Sequence, residues 1–566
     1  MKELDVFENW PFKVPNIKKA KESILVLTEE LKNATSNEEA LKVVKKHNKL
    51  FDKFENEATH VSVLYSLDTR NKKYEKAMNV LDEGSPEVSA ADLEFKKAIL
   101  SSPYREYLEK RLGSFVFKMY EYELKGFDEK IVPEAIEENK LSTEYSAKIA
   151  GAKIEFRGGV YNLPQMAKFM QDLDRDTRRE ASKAYYGYLE TIKDDLEEIY
   201  DKLVKLRDKM AKKLGFKNYV ELGYIRMGRY DYNEEDVKRY RKEISEVVTP
   251  IAAKLLQAQF KRTGIKKPQI YDMSITFKDG NPTPYGTTDE KVEFAKKMYD
   301  EMSKETSDFF RFLAEHHLLQ LEAKEGKQSG GYMTYFPIYQ TPIIFSNFNG
   351  TAGDVDVLTH EFGHAFQGHL SKDIKVPEYR MPTMESCEMH SMSMEFFAHP
   401  YMGYFFDDPE KYRYQHLADS ISFLPYGVTV DHFQEWVYEN PNATKLERDN
   451  KWHELEMLYT PYKVKYYGDC KYMMDGHRWL TQGHIFSSPF YYIDYTLAQV
   501  IAFEFFNLDR KNHNLAWKRY IALCKMGGKY PFRTLVAKSH LKDPFETGTI
   551  KKTIQPLLKV LKSYNI

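Results

Sequence analysis

The chain has 566 residues, 84 Lys and Arg against 85 Asp and Glu, a net charge of −1 and three cysteines. That balance argues against a nucleic-acid-binding surface. Cys387, Cys470 and Cys524 are too far apart for a disulfide framework or a cysteine metal site, which suits a reducing compartment. No run of about 18 apolar residues exists, so no membrane-spanning helix is expected. Met1-Lys2-Glu3-Leu4-Asp5 carries acids where a signal peptide has basic then apolar residues, and a soluble, cytoplasmic protein is expected. The length exceeds one simple core, yet no Gly/Ser or Pro-rich linker, repeat or low-complexity tract divides it. The fold class read from this is mainly α, one helical body with two lobes. Residues 1–175 form an N-terminal helical lobe and 176–566 a second lobe that carries the motifs below.

In chain order, Ile17 to Ala34 reads as an amphipathic helix, and Thr35-Ser36-Asn37-Glu38-Glu39 offers two overlapping capping boxes for the next. Helices continue through Glu134, with a break expected near Gly84-Ser85-Pro86. Between Ile149 and Asn162 the period changes: Ile154, Phe156, Val160 and Tyr161 flank Gly158-Gly159 as a β-hairpin. Long helices return from about Leu163 to Gly215 and from Asn233 to Gly264. Thr287-Thr288-Asp289-Glu290 caps another that runs towards His316 and His317, neighbours whose side chains diverge and which read as surface or interlobe residues. Between Gly330 and Asn349 two strands are expected, Tyr332-Met333-Thr334-Tyr335 and Ile343-Ile344-Phe345-Ser346-Asn347-Phe348. Thr351 or Asp354 would cap the helix that follows.

That helix carries His360-Glu361-Phe362-Gly363-His364. Four helical steps turn the chain about 400°, so both imidazoles lie on one face, one turn apart. They suit two corners of a tetrahedral zinc site, with Glu361 able to reach a water there; chance would supply roughly 0.04 such matches in this composition. Phe362, Ala365, Phe366, His369 and Leu370 share the opposite face, which places His369 away from the ligands. The alternative is a structural helix with two exposed histidines.

A catalytic zinc needs a third protein ligand and one open position. Met384 to Glu395 is Met-rich, free of Gly and Pro, and reads as a second, largely buried helix. Glu388 and Glu395 differ by only about 20° on its wheel and Glu385 by about 60°, whereas His390 points away. Buried carboxylates need a partner or a metal, so Glu388 is read as the third ligand and Glu395 as the acceptor behind a ligand histidine. Cys387 faces about 100° from Glu388 and reads as a buried, inert thiol. The strand around Phe345 and Asn347 leads into the first motif. Its free edge is expected to pair with an extended peptide; the alternative is a small buried sheet with no free edge.

His-Glu-Phe-Gly-His followed by Glu388-x-x-Ser391-x-x-x-Glu395 resembles the thimet oligopeptidase and oligoendopeptidase F metallopeptidases. The likeness includes Phe345 to Thr351 and Asp354-Val355 upstream, and His484 and Phe490 to Tyr495 downstream. It covers roughly residues 145 to 510. It departs at Gln367, where thimet-type enzymes carry a further histidine, and in a shorter histidine-to-tyrosine spacing. The resemblance implies one zinc ion on His360, His364 and Glu388, Glu361 as base, and His484 with Tyr491, Tyr492 or Tyr495 facing the substrate. It also implies two helical lobes around a deep channel that admits oligopeptides. The expected activity is cleavage of internal peptide bonds. The rivals are a helical zinc carboxypeptidase, which would need Arg478 or Arg533 to hold a terminal carboxylate, and a metal-stabilised peptide-binding protein without turnover.

Overall fold

The computed structural model describes residues 4–566 and is dominated by helices. It begins with α1 (Ile17–Lys32), α2 (Asn37–Leu67) and α3 (Lys72–Leu100), capped by the side chains of Asn16, Ser36 and Asn71. With α4 (Arg105–Leu112) and α5 (Ser114–Gly126) they enclose an apolar core of their own around Ile24, Val44, Phe95 and Phe117. The interruption expected at Gly84-Ser85-Pro86 does not occur, because α3 is held between α1 and α6 (Val132–Ala150). Ile17 of α1 occupies the space that a side chain at Gly84 would need, and this packing outweighs the proline penalty.

The hairpin is present as β1 (Ile154–Phe156) and β2 (Gly159–Tyr161). Then come α7 (Leu163–Met170), α8 (Arg175–Lys213), α9 (Tyr219–Arg226), α10 (Glu234–Glu243) and α11 (Thr249–Thr263). The Thr287–Glu290 capping box starts α12 (Thr288–Met302), and Ser303 restarts the chain as α13 (Lys304–Glu315).

A three-stranded sheet follows, made of β3 (Leu319–Glu322), β4 (Tyr332–Phe336) and β5 (Thr341–Phe348) in the order β3-β5-β4. β5, expected to offer a free edge, is instead the central strand, parallel to β3 and antiparallel to β4. The cause is a third strand that the mixed Leu-Gln-Leu-Glu run did not advertise. His317, at φ +56°, turns the chain out of α13 and lays β3 beside β5. Lys327 pins that pair by donating from Nζ to Gln320 O (2.9 Å) and Glu322 O (2.7 Å) and by lying 4.4 Å over the Phe345 ring. The outer strands of the sheet are therefore β3 and β4, and the one that starts beside Glu361 is β4.

β5 leads into α14 (Gly353–Ser371), and α15 (Met384–Phe397) packs directly across it. Asp354 does not cap α14. Its carboxylate accepts from Asn349 N (2.8 Å) and Gly350 N (3.0 Å), fastening the loop before the helix. α16 (Pro409–Glu439), α17 (Lys445–Tyr459), α18 (Pro461–Val464), α19 (Lys471–Met474), α20 (Gly483–Ser487) and α21 (Tyr492–Asp509) close the site from the far side. Three further helices, ending with Thr549–Ser563, complete one continuous core with α14 to α21. No helix is long and apolar enough to cross a membrane among the described residues.

The α14–α15 contact depends on Gly363. A Cβ there would lie 2.6 Å from Ser391 Cα and 2.7 Å from His390 O. Gly363→Ala is therefore expected to force the helices apart and cost about 1–3 kcal/mol. Urea unfolding checks this; an unchanged midpoint would mean that the helices part freely.

Candidate metal centre

The close approach of α14 and α15 brings three donors together. His360 Nε2 lies 3.1 Å and His364 Nε2 3.3 Å from Glu388 Oε2, and the three donor atoms lie within 4.8 Å of one another. Glu388 is 1% exposed while His360 retains 19%, so the group opens on the imidazole side. Burial alone would raise the Glu388 carboxyl, yet the His364 and His360 imidazoles hold it well below the usual carboxylate range. Burial disfavours charge on His360, but Glu388 and Glu395 outweigh it and favour a cation. The pocket is built for positive charge. Two imidazole nitrogens and a carboxylate oxygen with one open side fit a divalent transition cation.

Two of the three donors, His360 and Glu388, are held from behind. His360 Nδ1 contacts Glu395 Oε1 at 2.6 Å, which turns the Nε2 lone pair towards Glu388. Glu395 Oε2 meets His416 Nε2 at 2.7 Å, and His416 Nδ1 meets His399 Nε2 at 2.9 Å. Ser391 Oγ donates to Glu388 Oε2 at 2.9 Å, and the Tyr491 hydroxyl donates to Glu388 Oε1. Glu361 sits beside this group without joining it. Its Oε2 is buried with no hydrogen-bond partner, and burial raises its carboxyl against the pull of the two imidazoles. The start of β4 passes directly over it. A Cβ on Gly331 would stand 3.5 Å from Glu361 Oε1 and 2.7 Å from Val357 Cγ1, so only glycine lets the strand lie this close.

The segment from Gly483 to Tyr495 faces the donors across the opening. Arg207, fully buried, donates from Nη1 to Ile485 O (3.1 Å) and from Nη2 to Phe486 O, with Glu138 Oε1 2.7 Å from its Nε. Arg229 donates to Phe490 O and to Asp494 Oδ1 (3.1 Å), and Gln434 Oε1 accepts from Phe490 N (2.8 Å). These bonds hold Phe490 at φ +70°, a left-handed turn that an isolated phenylalanine avoids.

His484 and its tyrosines follow from that turn. Tyr426 OH donates to Gln482 Oε1 (2.7 Å), which leaves the Gln482 amide to donate to His484 Nδ1 (2.8 Å). His484 Nε2–H then donates to the Tyr495 hydroxyl at 3.0 Å, and Tyr495 keeps its own proton to give. Tyr491 spends its proton on Glu388. Tyr492 stands edge-on to His484 at 5.1 Å and to Tyr426 at 5.7 Å as part of the wall.

The sequence-derived residues thus fall into two groups. His360, Glu361, His364, Glu388, Glu395, His484, Tyr491, Tyr492 and Tyr495 come together. Phe345 and Asn347, expected to contact substrate, do not. Phe345 is 0% exposed and stacks on Tyr332 at 4.6 Å beneath the sheet. Asn347 spends its amide on Gln328 O and Gly330 O, both at 2.8 Å, shaping the turn into β4. His369 stacks on Phe309 at 4.2 Å, and the Cys387 thiol is buried and pushed up by that burial. Gly331, Gln482, His416 and Arg207 carried no motif; only the turn signal at Gly330-Gly331 hinted at any of them.

The chain matches the family model for the peptidase M3 N-terminal domain over residues 7–127 and that for peptidase family M3 over residues 168–553. Among solved structures it is similar to PZ peptidase A with an inhibitor, at 44% identity over 99% of each chain and a TM-score of 0.97. A protein described as oligoendopeptidase F shares 42% identity over 99% of each chain, with a TM-score of 0.98. Another so described, from Bacillus anthracis str. Ames, shares 42% over 99% of this chain and 98% of its own, with a TM-score of 0.92. No curated protein sequence matches the chain.

Burial lowers the His484 ring to about 4, with the Glu388 charge opposing the shift. It is therefore expected to stay neutral from pH 5.5 to 8, and ¹⁵N spectra of labelled histidine should show a fixed Nε2–H tautomer. Because the folded value lies below the free value, the unfolded chain binds the extra proton. The stability His484 contributes is complete above about pH 6.5 and falls as pH drops towards 4. A ring that becomes cationic near pH 6.5 would contradict the assignment.

Proposed function

The chain belongs to peptidase family M3 and is a metallo-oligopeptidase; on that footing we propose that it is an endopeptidase holding one zinc ion on His360, His364 and Glu388, with Glu361 as general base. The convergence of those three donors within 4.8 Å carries the reading. Bound there, zinc supplies Lewis acidity, polarising the scissile carbonyl and lowering the pKa of a water from about 15.7 to about 7.

The chain's own residues do the rest. Glu361, raised by burial and with one oxygen unpartnered, takes the proton of the attacking water and passes it to the leaving amine. Tyr495, held in place by the His484 Nε2–H, donates to the oxygen that gains charge as the carbonyl becomes tetrahedral. Tyr491 braces Glu388, Tyr492 walls the groove, and Glu395 fixes the His360 tautomer. The backbone edge of β4 pairs with the extended substrate beside Glu361, the task first read into β5. Residues 1–175 and 176–566 act as two lobes around a channel for short peptides, a division supported by the separate core within α1 to α5. The cytoplasm is the expected setting, in keeping with three unpaired cysteines.

Glu361→Gln should retain zinc at one per chain but lose about 100- to 10,000-fold in kcat on a quenched fluorescent peptide. Tyr495→Phe should lose about 100- to 1000-fold in kcat with little change in KM. A peptide blocked at both ends should still be cut, and a chelator should stop the reaction. Undiminished turnover by Glu361→Gln would place the base elsewhere, and failure on the blocked peptide would favour a carboxypeptidase.

A further inference from the structure

Among the described residues a second group of three donors closes to within 4.8 Å, formed by Glu197, Asp449 and His477. Glu197 lies on α8, Asp449 on α17, and His477 opens the short 3₁₀ turn His477–Thr481. All three are buried, at 5%, 5% and 6% exposure. The turn comes this close to α17 because residue 476 is glycine. It takes φ +82°, and a Cβ there would stand 2.3 Å from Asp449 O.

His477 faces a carboxylate with each ring nitrogen. Nε2 stands 3.5 Å from Asp449 Oδ2, and Nδ1 stands 3.9 Å from Glu190 Oε2. Both separations exceed a good hydrogen bond, and Nδ1 and Glu190 Oε2 are buried with no hydrogen-bond partner. Donors about 2.1 Å from one tetrahedral cation stand about 3.4 Å apart, so the Asp449 contact has the spacing of two ligands. Trp479 Nε1 donates to Asp449 Oδ1 at 2.9 Å, which leaves Oδ2 for the ring. Glu190 precedes Glu197 by two helical turns on one face of α8. It stands to Nδ1 of His477 as Glu395 stands to Nδ1 of His360.

The neighbouring lysines do not satisfy these groups. Lys445 Nζ lies 3.6 Å from Glu197 Oε2, and its side chain is half exposed at the rim. Lys193 Nζ lies 3.9 Å from Glu190 Oε1 and is committed to Asp194 at 3.0 Å. Burial and the Asp449 charge push the Glu197 carboxyl up against the pull of both lysines and His477. Two buried carboxylates and an imidazole with an idle nitrogen are costly unless a cation completes them.

We propose that Glu197, Asp449 and His477 bind a second divalent cation, which clamps α8, α17 and the 477–481 turn together. One imidazole with two carboxylates suits zinc and admits manganese, since oxygen donors predominate. The turn runs on to Gln482 and His484, so this ion braces the facing wall from a site outside the α14–α15 crossing. Its role is structural, and it takes no part in peptide hydrolysis.

The test removes the first centre. The full chain carrying His360→Ala and His364→Ala, dialysed against zinc or manganese alone, should keep one ion per chain by atomic emission. Wild type should hold two zinc ions. Manganese bound to the His360→Ala, His364→Ala chain should show a nitrogen coupling in pulsed EPR that His477→Gln removes. Zinc at about 100 times its Kd should raise the Tm of that chain by about 2 °C. Adding Glu197→Gln and Asp449→Asn should abolish both the ion and the shift. One zinc in wild type, none in the His360→Ala, His364→Ala chain, or an ion that survives Glu197→Gln with Asp449→Asn overturns the proposal. So does bound manganese without nitrogen coupling. Should the Glu197→Gln, Asp449→Asn chain fail to fold, the wild-type count and the nitrogen coupling still decide, since both are read with 197, 449 and 477 intact.

Discussion

The centre depends on one helix crossing. α14 and α15 meet where Gly363 lies against Ser391 and His390, closer than any side chain at 363 would permit. Only at that separation does Glu388 reach both imidazoles. The crossing also places Glu395 behind His360, so one contact delivers both the donor and the group that orients another donor. Burying this many ionisable groups would destabilise the core if any were left alone. None of the donors is: Glu395, His416 and His399 continue the chain of bonds into the interior, and Ser391 and Tyr491 complete Glu388.

The facing wall is built on the opposite plan. His484, Tyr491, Tyr492 and Tyr495 sit on a short helix, a left-handed turn and the start of α21, none of which would hold its shape alone. Buried guanidinium groups supply the rigidity. Arg207 gathers the carbonyls of residues 485 and 486, and Arg229 ties Phe490 to Asp494. Carbonyls in a turn have few other partners in a dry interior, and an arginine fork satisfies several at once. The α14–α15 donors are positioned by helix packing, and the facing donors by charge-assisted bonds to backbone.

This difference explains what was legible in the chain. Helix periodicity reports which residues share a face, so the relation of His360 to His364 and of Glu388 to Glu395 could be read directly. Wheel angles also separated His369 and His390 from the ligands. Arg207 and Arg229 lie more than 250 positions from the carbonyls they hold, and no local pattern encodes such a partnership. The role of Gln482 emerges only from tracing hydrogen bonds through Tyr426. Strand composition was visible in β4 and β5, but order in a sheet is decided by the third strand. A four-residue β3 with alternating Leu left too little signal to show that β5 would be enclosed. That enclosure buries Phe345, and Asn347 gives its amide to the neighbouring turn: an enclosed strand spends its side chains on the core and on neighbouring turns. Pro86 misled in the opposite direction, since its cost is local while the packing that overrides it comes from α1 and α6.

Glu361 and Glu388 show how environment divides labour between like groups. Both are buried carboxylates beside the same two imidazoles. Glu388 accepts from Ser391 and Tyr491 and touches both Nε2 atoms, and these contacts overcome burial and keep it ionised. Glu361 receives the same imidazole charges from farther off, has an oxygen with no partner, and lies under the glycine at the head of β4, so burial prevails. A carboxylate that stays ionised under all working conditions suits a donor to a cation. One poised higher suits a group that must accept a proton and release it within one turnover. The two roles follow from which carboxylate has its oxygens occupied, and that is set by which helix each residue is on.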